Sequence, residues 1–197
     1  QAGYCFLKSS LGAANSYQPS SALQAFLAER PKPFYVGFGS MVPRYPKRLA
    51  EKIISAFEMT GQRAVLCSGW GGVTQDELPP SVYLLDSVPH EWLCPQVCAA
   101  IHHGGAGTTA ATLRAGIPSI VVPFFADQPI WGAQLERLGV SPATLPQLEL
   151  TDSQLAENIR RMLEDDSFQQ KAQTLGAQIQ TENGAALAAS MIASHLC

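Results

Sequence analysis

No apolar run in this sequence approaches the roughly 20 residues that a helix needs to cross a bilayer, and the opening Gln1-Ala2-Gly3-Tyr4 is not a signal peptide. A starting Met is also missing, so the 197 residues read as an excised portion of something longer. There is no excess of positive charge: 13 Lys and Arg stand against 16 Asp and Glu, for a net charge of −3, which removes the electrostatic footprint that nucleic acid requires. A paired cysteine framework is lacking, since Cys5, Cys67, Cys94, Cys98 and Cys197 are odd in number and unevenly spread, and a reducing cytoplasm fits them better. Cys94, Cys98 and His102 recur at intervals of four, but a metal site would need one continuous helix there. Ala99-Ala100-Ile101 reads as strand, so small thiols buried beside a sheet are expected instead. Other chemistry is missing too. No G-x-G-x-x-G follows the first strand, which disfavours a dinucleotide-binding domain, and no G-x-S-x-G elbow supports a serine hydrolase. No acid pair suits a metal, because Asp165-Asp166 falls at a helix junction.

What is present is a core. Hydrophobic residues make up 46% and charged residues 15%, which argues for a folded domain rather than disorder. Fully apolar segments alternate with amphipathic ones, the pattern of a Rossmann-like parallel sheet with helices on both faces, an α/β fold. Strands are expected near 34–38, 64–68, 82–85, 99–102 and 119–122, with a shorter one near 143–145. Helices are expected near 21–28, 46–60, 91–93, 106–115, 129–138, 152–164, 168–181 and 184–194. Thr151 or Asp152 reads as an N-cap, and Gly139 as the close of the helix before it. Residues 9–20 look like a linker, so the chain divides into a linker and lead-in segment over 1–21 and a domain over 22–197.

Two stretches carry chemistry. In Ile101-His102-His103-Gly104-Gly105-Ala106-Gly107-Thr108-Thr109 an apolar segment thins to bare backbone and then opens a helix. Glycines let the main chain approach a ligand, and the helix start directs free N–H groups and a positive dipole end at an anion. About twenty residues on, Gly116-Ile117-Pro118-Ser119-Ile120-Val121-Val122-Pro123 reads as a buried strand that runs into Phe124-Phe125-Ala126-Asp127-Gln128-Pro129. An adjacent acid and amide suit vicinal hydroxyls of a sugar. The same Asp127 equally fits a cap on a helix that starts near Pro129. In a parallel sheet the ligand belongs beyond the carboxyl ends of the strands. Ser40, Ser68, Ser87 to His90, His102-His103 and Asp127-Gln128 each follow a different expected strand, so five loops converge on one edge.

The segment from Asp86 to Gly139, with its VPHEWL, HHGGAGTT, AGIPSIVVPFFADQP and LGV blocks, resembles the nucleotide-sugar-binding C-terminal half of GT-B fold UDP-glycosyltransferases. Within that superfamily it is most similar to the sterol and lipid glucosyltransferase and antibiotic glycosyltransferase branch. Gly37-Phe38-Gly39-Ser40-Met41 and Ser68-Gly69-Trp70-Gly71-Gly72 extend the resemblance over essentially the whole chain. The resemblance implies that Ser87, Val88 and His90 face the uracil, with the Val88 backbone reading its edge. Many relatives place a stacking Trp where this chain has Ser87; Trp70 or Trp92 could replace it, although Trp92 also reads as a core anchor. It further implies that His103, Gly105, Gly107 and Thr108 hold the diphosphate with Ser40 opposite, and that Asp127 and Gln128 bind glucose or a similar hexose. Where plant-type relatives carry a ribose-binding Glu this chain has Ala111, so the resemblance assigns no ribose contact.

The implied reaction is inverting transfer of the hexose from a UDP-sugar to a hydroxyl of a hydrophobic acceptor such as a sterol or lipid, with no metal and no other cofactor. In relatives the general base is a His on an N-terminal domain that also forms the acceptor pocket. No catalytic residue is therefore assigned in this chain, and the isolated piece is expected to bind donor without turnover. Neither nucleic acid nor a membrane span is expected, although peripheral membrane contact by the longer parent fits a lipid acceptor. A non-catalytic UDP-sugar sensor and a UDP-sugar epimerase-like protein are the alternatives, the second lacking its characteristic carboxylates near the sugar.

Overall fold

The computed structural model describes residues 3–6, 16–41, 43–67 and 74–196. Ser68 to Gly72, Trp70 among them, and Cys197 lie outside the described residues, as do 9–15 of the expected linker.

Five short strands form one sheet among these residues: β1 (Phe34–Gly37), β2 (Ala64–Cys67), β3 (Val82–Leu85), β4 (Ala99–His102) and β5 (Ser119–Val121). Their order is β3-β2-β1-β4-β5 and every pairing is parallel. β1, β4 and β5 are buried along their whole length, as strands covered on both faces must be, which is why they appear in sequence as largely apolar segments. The expected strand near 143–145 is reduced to one bridge, Thr144 to Val121. Pro142 and Pro146 flank it and have no N–H to extend a ladder.

Helices cover both faces. On one side lie α2 (Pro46–Thr60) and α6 (Asp152–Glu164), whose Leu49, Ile53, Phe57, Leu155 and Ile159 meet Phe34, Val36, Leu66 and Ile101 of the sheet. Their apolar residues recur with the helical period. Pro46 opens α2, Gly61 closes it at φ 63°, and Thr151 and Gln154 form a reciprocal capping box at the start of α6. On the other side, α1 (Ser21–Ala28) and α3 (His90–Leu93) bury Leu23, Leu27 and Leu93 against Tyr35, Val65 and Ala100. Arg63 ties α1 down, donating to the carbonyls of Phe26 (2.7 Å) and Glu29 (3.1 Å) with its guanidinium 4.0 Å from the Phe26 ring. Beyond β5, α4 (Ala106–Arg114), α5 (Gln128–Arg137) and α7 (Ser167–Gln180) close around Leu113, Leu135, Val140 and Ala172. Gly139, at φ 68°, ends α5 as expected. α8 (Gly184–Leu196) follows and is almost wholly exposed.

Burial pushes the Cys67 and Cys94 thiols up to about 12 and Cys98 to about 11, so all three stay protonated. Cys94 ends α3 while His102 lies on β4, so the continuous helix that would align Cys94, Cys98 and His102 does not form.

Candidate functional site

The strand order reverses between β1 and β4, since β1 leads outward to β2 and β3 while β4 leads to β5. The loops leaving such a pair diverge to opposite faces and open a crevice above their carboxyl ends. One wall is the turn after β1, where Gly39 has φ 58° and Ser40 is exposed. The other is the His103-Gly104-Gly105 turn into α4.

His103 sits between these walls, and two glycines make its slot. A Cβ on Gly105 would collide with His103 Nε2, and one on Gly39 would lie 3.3 Å from its Cε1. The residue is 8% exposed. Desolvation lowers its pKa, the Gly37 carbonyl raises it, His90 lowers it and the Asp127 carboxylate raises it in a smaller measure. The imidazole is therefore neutral at neutral pH and already in the field of the acid of the next loop. Gly104, at φ 84°, lets that next loop close in, because a Cβ there would meet the Gln128 carbonyl oxygen at 2.8 Å.

Its neighbour His102 is fully buried, and burial pushes it down to about 3. Its Nδ1 accepts the Gly104 N–H at 3.0 Å, which places the ring proton on Nε2 and holds the turn in shape. His102 thus shapes the cradle from beneath and has no access to a ligand.

Gly105 is the N-cap of α4 and offers no side chain to the first-turn amides. Their N–H groups and the dipole end of a nine-residue helix face outward without a capping oxygen. Gly107 is exposed, with nothing within 4 Å of a Cβ built on it. Thr108 is buried behind it at 9% exposure.

The loop after β5 takes its own form. Asp127 stands at the N-cap position of α5 but with helical angles (φ −82°, ψ −7°) and makes no capping bond, whereas a capping residue is normally extended. The capping alternative for Asp127 is thereby set aside. Its Oδ2 instead accepts from Trp131 Nε1 at 2.9 Å, and the residue is exposed. Gln128 turns inward at 5% exposure: its Oε1 accepts the N–H groups of Phe124 (2.7 Å) and Phe125 (3.2 Å), and its Nε2 reaches Met41 Sδ at 3.4 Å. Gln128 thus braces its loop and ties it to the β1 loop, with its carbonyl oxygen already engaged.

The loop after β3 lies farther out, because β3 is the edge strand. Ser87 is exposed and Val88 half-buried against the α1/α3 core. His90 reaches back toward the centre, its Nε2 2.9 Å from the Tyr35 hydroxyl and its pKa lowered by burial. Trp92 packs on Tyr17, with ring centroids 4.9 Å apart, as a core anchor. The structure therefore brings Ser40, His103, Gly105, Gly107, Thr108, Asp127 and Gln128 around one crevice, with His90 at its inner edge. Ser87 and Val88 stand at its outer end. Three contributors were not foreseen as such: Gly39 as half of the His103 slot, Tyr35 beneath His90, and Trp131 on Asp127. Only the last has a sequence signal, the four-residue spacing on one helix face.

Comparison with known proteins identifies the family and the fold. A family profile described as erythromycin biosynthesis protein CIII-like, C-terminal domain, matches residues 71–193. The sterol 3-beta-glucosyltransferase UGT80A2 of Arabidopsis thaliana is 42% identical over 195 residues, covering 98% of this chain and 30% of that protein. A sterol 3-beta-glucosyltransferase of Komagataella phaffii is 39% identical over 197 residues, covering 94% of this chain and 16% of its own length. The chain thus spans a third or less of these curated relatives. Among solved structures, the kitacinnamycin glycotransferase superposes with a TM-score of 0.72 at 22% identity over 84% of this chain and 44% of that one. The glycosyltransferase SnogD from Streptomyces nogalater does so with 0.65 at 26% identity, over 90% and 46%. The chain belongs to the family of erythromycin biosynthesis protein CIII-like C-terminal domains and has the α/β fold of that half of a GT-B glycosyltransferase.

Proposed function

We propose that residues 22–197 form the donor-binding half of an inverting glycosyltransferase that moves a hexose, glucose by preference, from a UDP-sugar to the hydroxyl of a hydrophobic acceptor. One observation carries this reading: the His103 slot, built by Gly39 and Gly105, lies at the strand-order reversal beside the uncapped start of α4. A diphosphate seated there would receive first-turn N–H groups of α4, the His103 ring and the Ser40 hydroxyl. Asp127 would then stand where the sugar projects, while Ser87, Val88 and His90 lie on the side toward the base. The names of the relatives favour a sterol-like acceptor.

In such a transfer an acceptor oxygen bonds to the anomeric carbon as the bond to the diphosphate breaks, and negative charge grows on the departing phosphate. Fixed N–H donors and an imidazole that can take up a proton there stabilise that charge without a metal ion. A base for the acceptor hydroxyl is not placed among the described histidines. His102 is sealed, His103 serves the diphosphate, His90 holds Tyr35, and His195 lies on α8. The base and acceptor pocket are assigned to the longer parent, and this chain alone is assigned donor binding without turnover. A cytoplasmic setting suits the nucleotide-sugar donor.

Calorimetric titration of the chain with UDP and UDP-glucose tests the reading. Saturable binding of both, unchanged by EDTA, is expected, together with no glucosylation of a sterol by the chain alone. Folded protein that gives no heat with millimolar UDP would overturn the assignment, and a large loss of affinity in EDTA would overturn its metal-free character.

A further inference from the structure

We infer that Trp131 is the positioning residue of the sugar end of this site, holding the Asp127 carboxylate at the angle from which it meets the donor; the inference rests on the donor-binding reading above. Asp127 is grasped twice by the same residue, its Oδ2 by the indole Nε1–H at 2.9 Å and its backbone carbonyl by the Trp131 N–H at 3.2 Å. The preceding Ala126 has φ 58°, the one positive value at a non-glycine position among the described residues. That left-handed turn aims the chain so that Asp127 enters α5 with helical angles and its carboxylate leaves the cap position for the indole. One carboxylate oxygen is fixed by Trp131, and the second, on an exposed residue, is left for a ligand hydroxyl. A carboxylate on a free rotamer would lose that freedom on binding, whereas one already held does not.

The indole is itself braced. Tyr4 lies with its ring centroid 6.4 Å from that of Trp131, and its N–H donates to Glu182 Oε2 at 3.1 Å, so the segment 3–6 is anchored to the end of α7 while it supports the ring. Phe6 continues the same contact, stacked 5.5 Å from Tyr4 and lying 4.4 Å beneath the Arg114 guanidinium of α4. Residues far from the crevice in sequence thus end on the one side chain that orients Asp127.

The test compares Trp131→Phe, Asp127→Asn and the double variant in calorimetric titrations with UDP and with UDP-glucose. Trp131→Phe keeps a ring for Tyr4 and removes only the donor, so UDP-glucose affinity should fall about 10-fold while UDP affinity stays within about twofold. Since Trp131 acts through Asp127, the double variant should bind UDP-glucose no more weakly than Asp127→Asn alone. Equal weakening of both ligands by Trp131→Phe, or additive losses in the double variant, would overturn the positioning role. So would full UDP-glucose affinity in Trp131→Phe where Asp127→Asn is impaired. If Asp127→Asn itself leaves UDP-glucose binding intact, the sugar assignment of the site falls and this inference falls with it. Should Trp131→Phe not fold, the indole N–H resonance of Trp131 in the unaltered protein decides: it should shift on adding UDP-glucose well beyond its shift with UDP, and equal shifts would refute the role.

Discussion

Replacing Gly107 by Ala separates the stability of α4 from its proposed work, because the two should move in opposite directions. Gly107 lies in the first turn of α4, and a Cβ there meets nothing within 4 Å. Glycine costs a helix about 0.5–1 kcal/mol relative to alanine, and the first turn, whose N–H makes no intrahelical bond, takes the lower figure. Gly107→Ala should therefore raise Tm by about 1–2 °C for a domain of this size. The same methyl enters the space assigned to the diphosphate, between Gly105 and the rest of the first turn. Loss or lengthening of one charge-assisted hydrogen bond, about 1.5–3 kcal/mol, would weaken UDP binding about 10- to 100-fold. Thermal melting followed by circular dichroism and calorimetry with UDP read the two effects. A stabilised variant that binds UDP as tightly as the unaltered chain would show that the diphosphate does not rest on α4. A destabilised variant would show that the space beside Gly107 is not open.

Three further outcomes are expected. Asp127→Asn keeps an oxygen for Trp131 but loses the charge, so UDP-glucose affinity should fall about 10- to 100-fold with UDP affinity and Tm unchanged; a lower Tm with the sugar preference intact would contradict the sugar role. A bound diphosphate favours the imidazolium form of His103, whose pKa in the free protein is lowered chiefly by desolvation. UDP-glucose affinity should accordingly rise as pH falls through the bound-state pKa and level off below the free-state value, with His103→Gln flat. UDP-glucose is the ligand for this test because UDP has a terminal phosphate that itself titrates near pH 6. Finally, His102 is held at about 3, below its ordinary 6.5, so the unfolded chain takes up this proton first. Its contribution to stability is complete above about pH 6.5 and is lost toward pH 3 at roughly 1.4 kcal/mol per pH unit. Denaturant unfolding at about pH 5 should give a lower free energy than near pH 7.5, and equal or greater stability at the lower pH would contradict this.

The sheet was legible because β1, β4 and β5 are buried on both faces, which forces largely apolar segments in the sequence. Alternation with helical segments then implied parallel strands and hence a common carboxyl edge. The interior of the site was less legible because its decisive contacts join distant residues. Nothing near His103 in sequence says that Gly39 must be bare for the ring to fit. Asp127 and Gln128 were an ambiguous pair for a related reason. The amides of Phe124 and Phe125 need acceptors once the loop is half-buried, and Gln128 supplies its oxygen to them. Ala126 in the left-handed region turns Asp127 away from the cap, a backbone event with no side-chain signature. His90 likewise has Nε2 committed to Tyr35, a residue on the adjoining face of β1.

Amide chemical shifts of the 15N-labelled chain during titration with UDP test the central claim most directly, because they report the place of binding as well as its strength. The account predicts saturable shifts that are largest at Ser40 and at Gly105 to Thr108, with smaller ones at Val88 and Asp127. Absence of saturable shifts at millimolar UDP, or shifts gathered instead on the outer faces of α5 and α7 around Leu138 and Lys171, would contradict it.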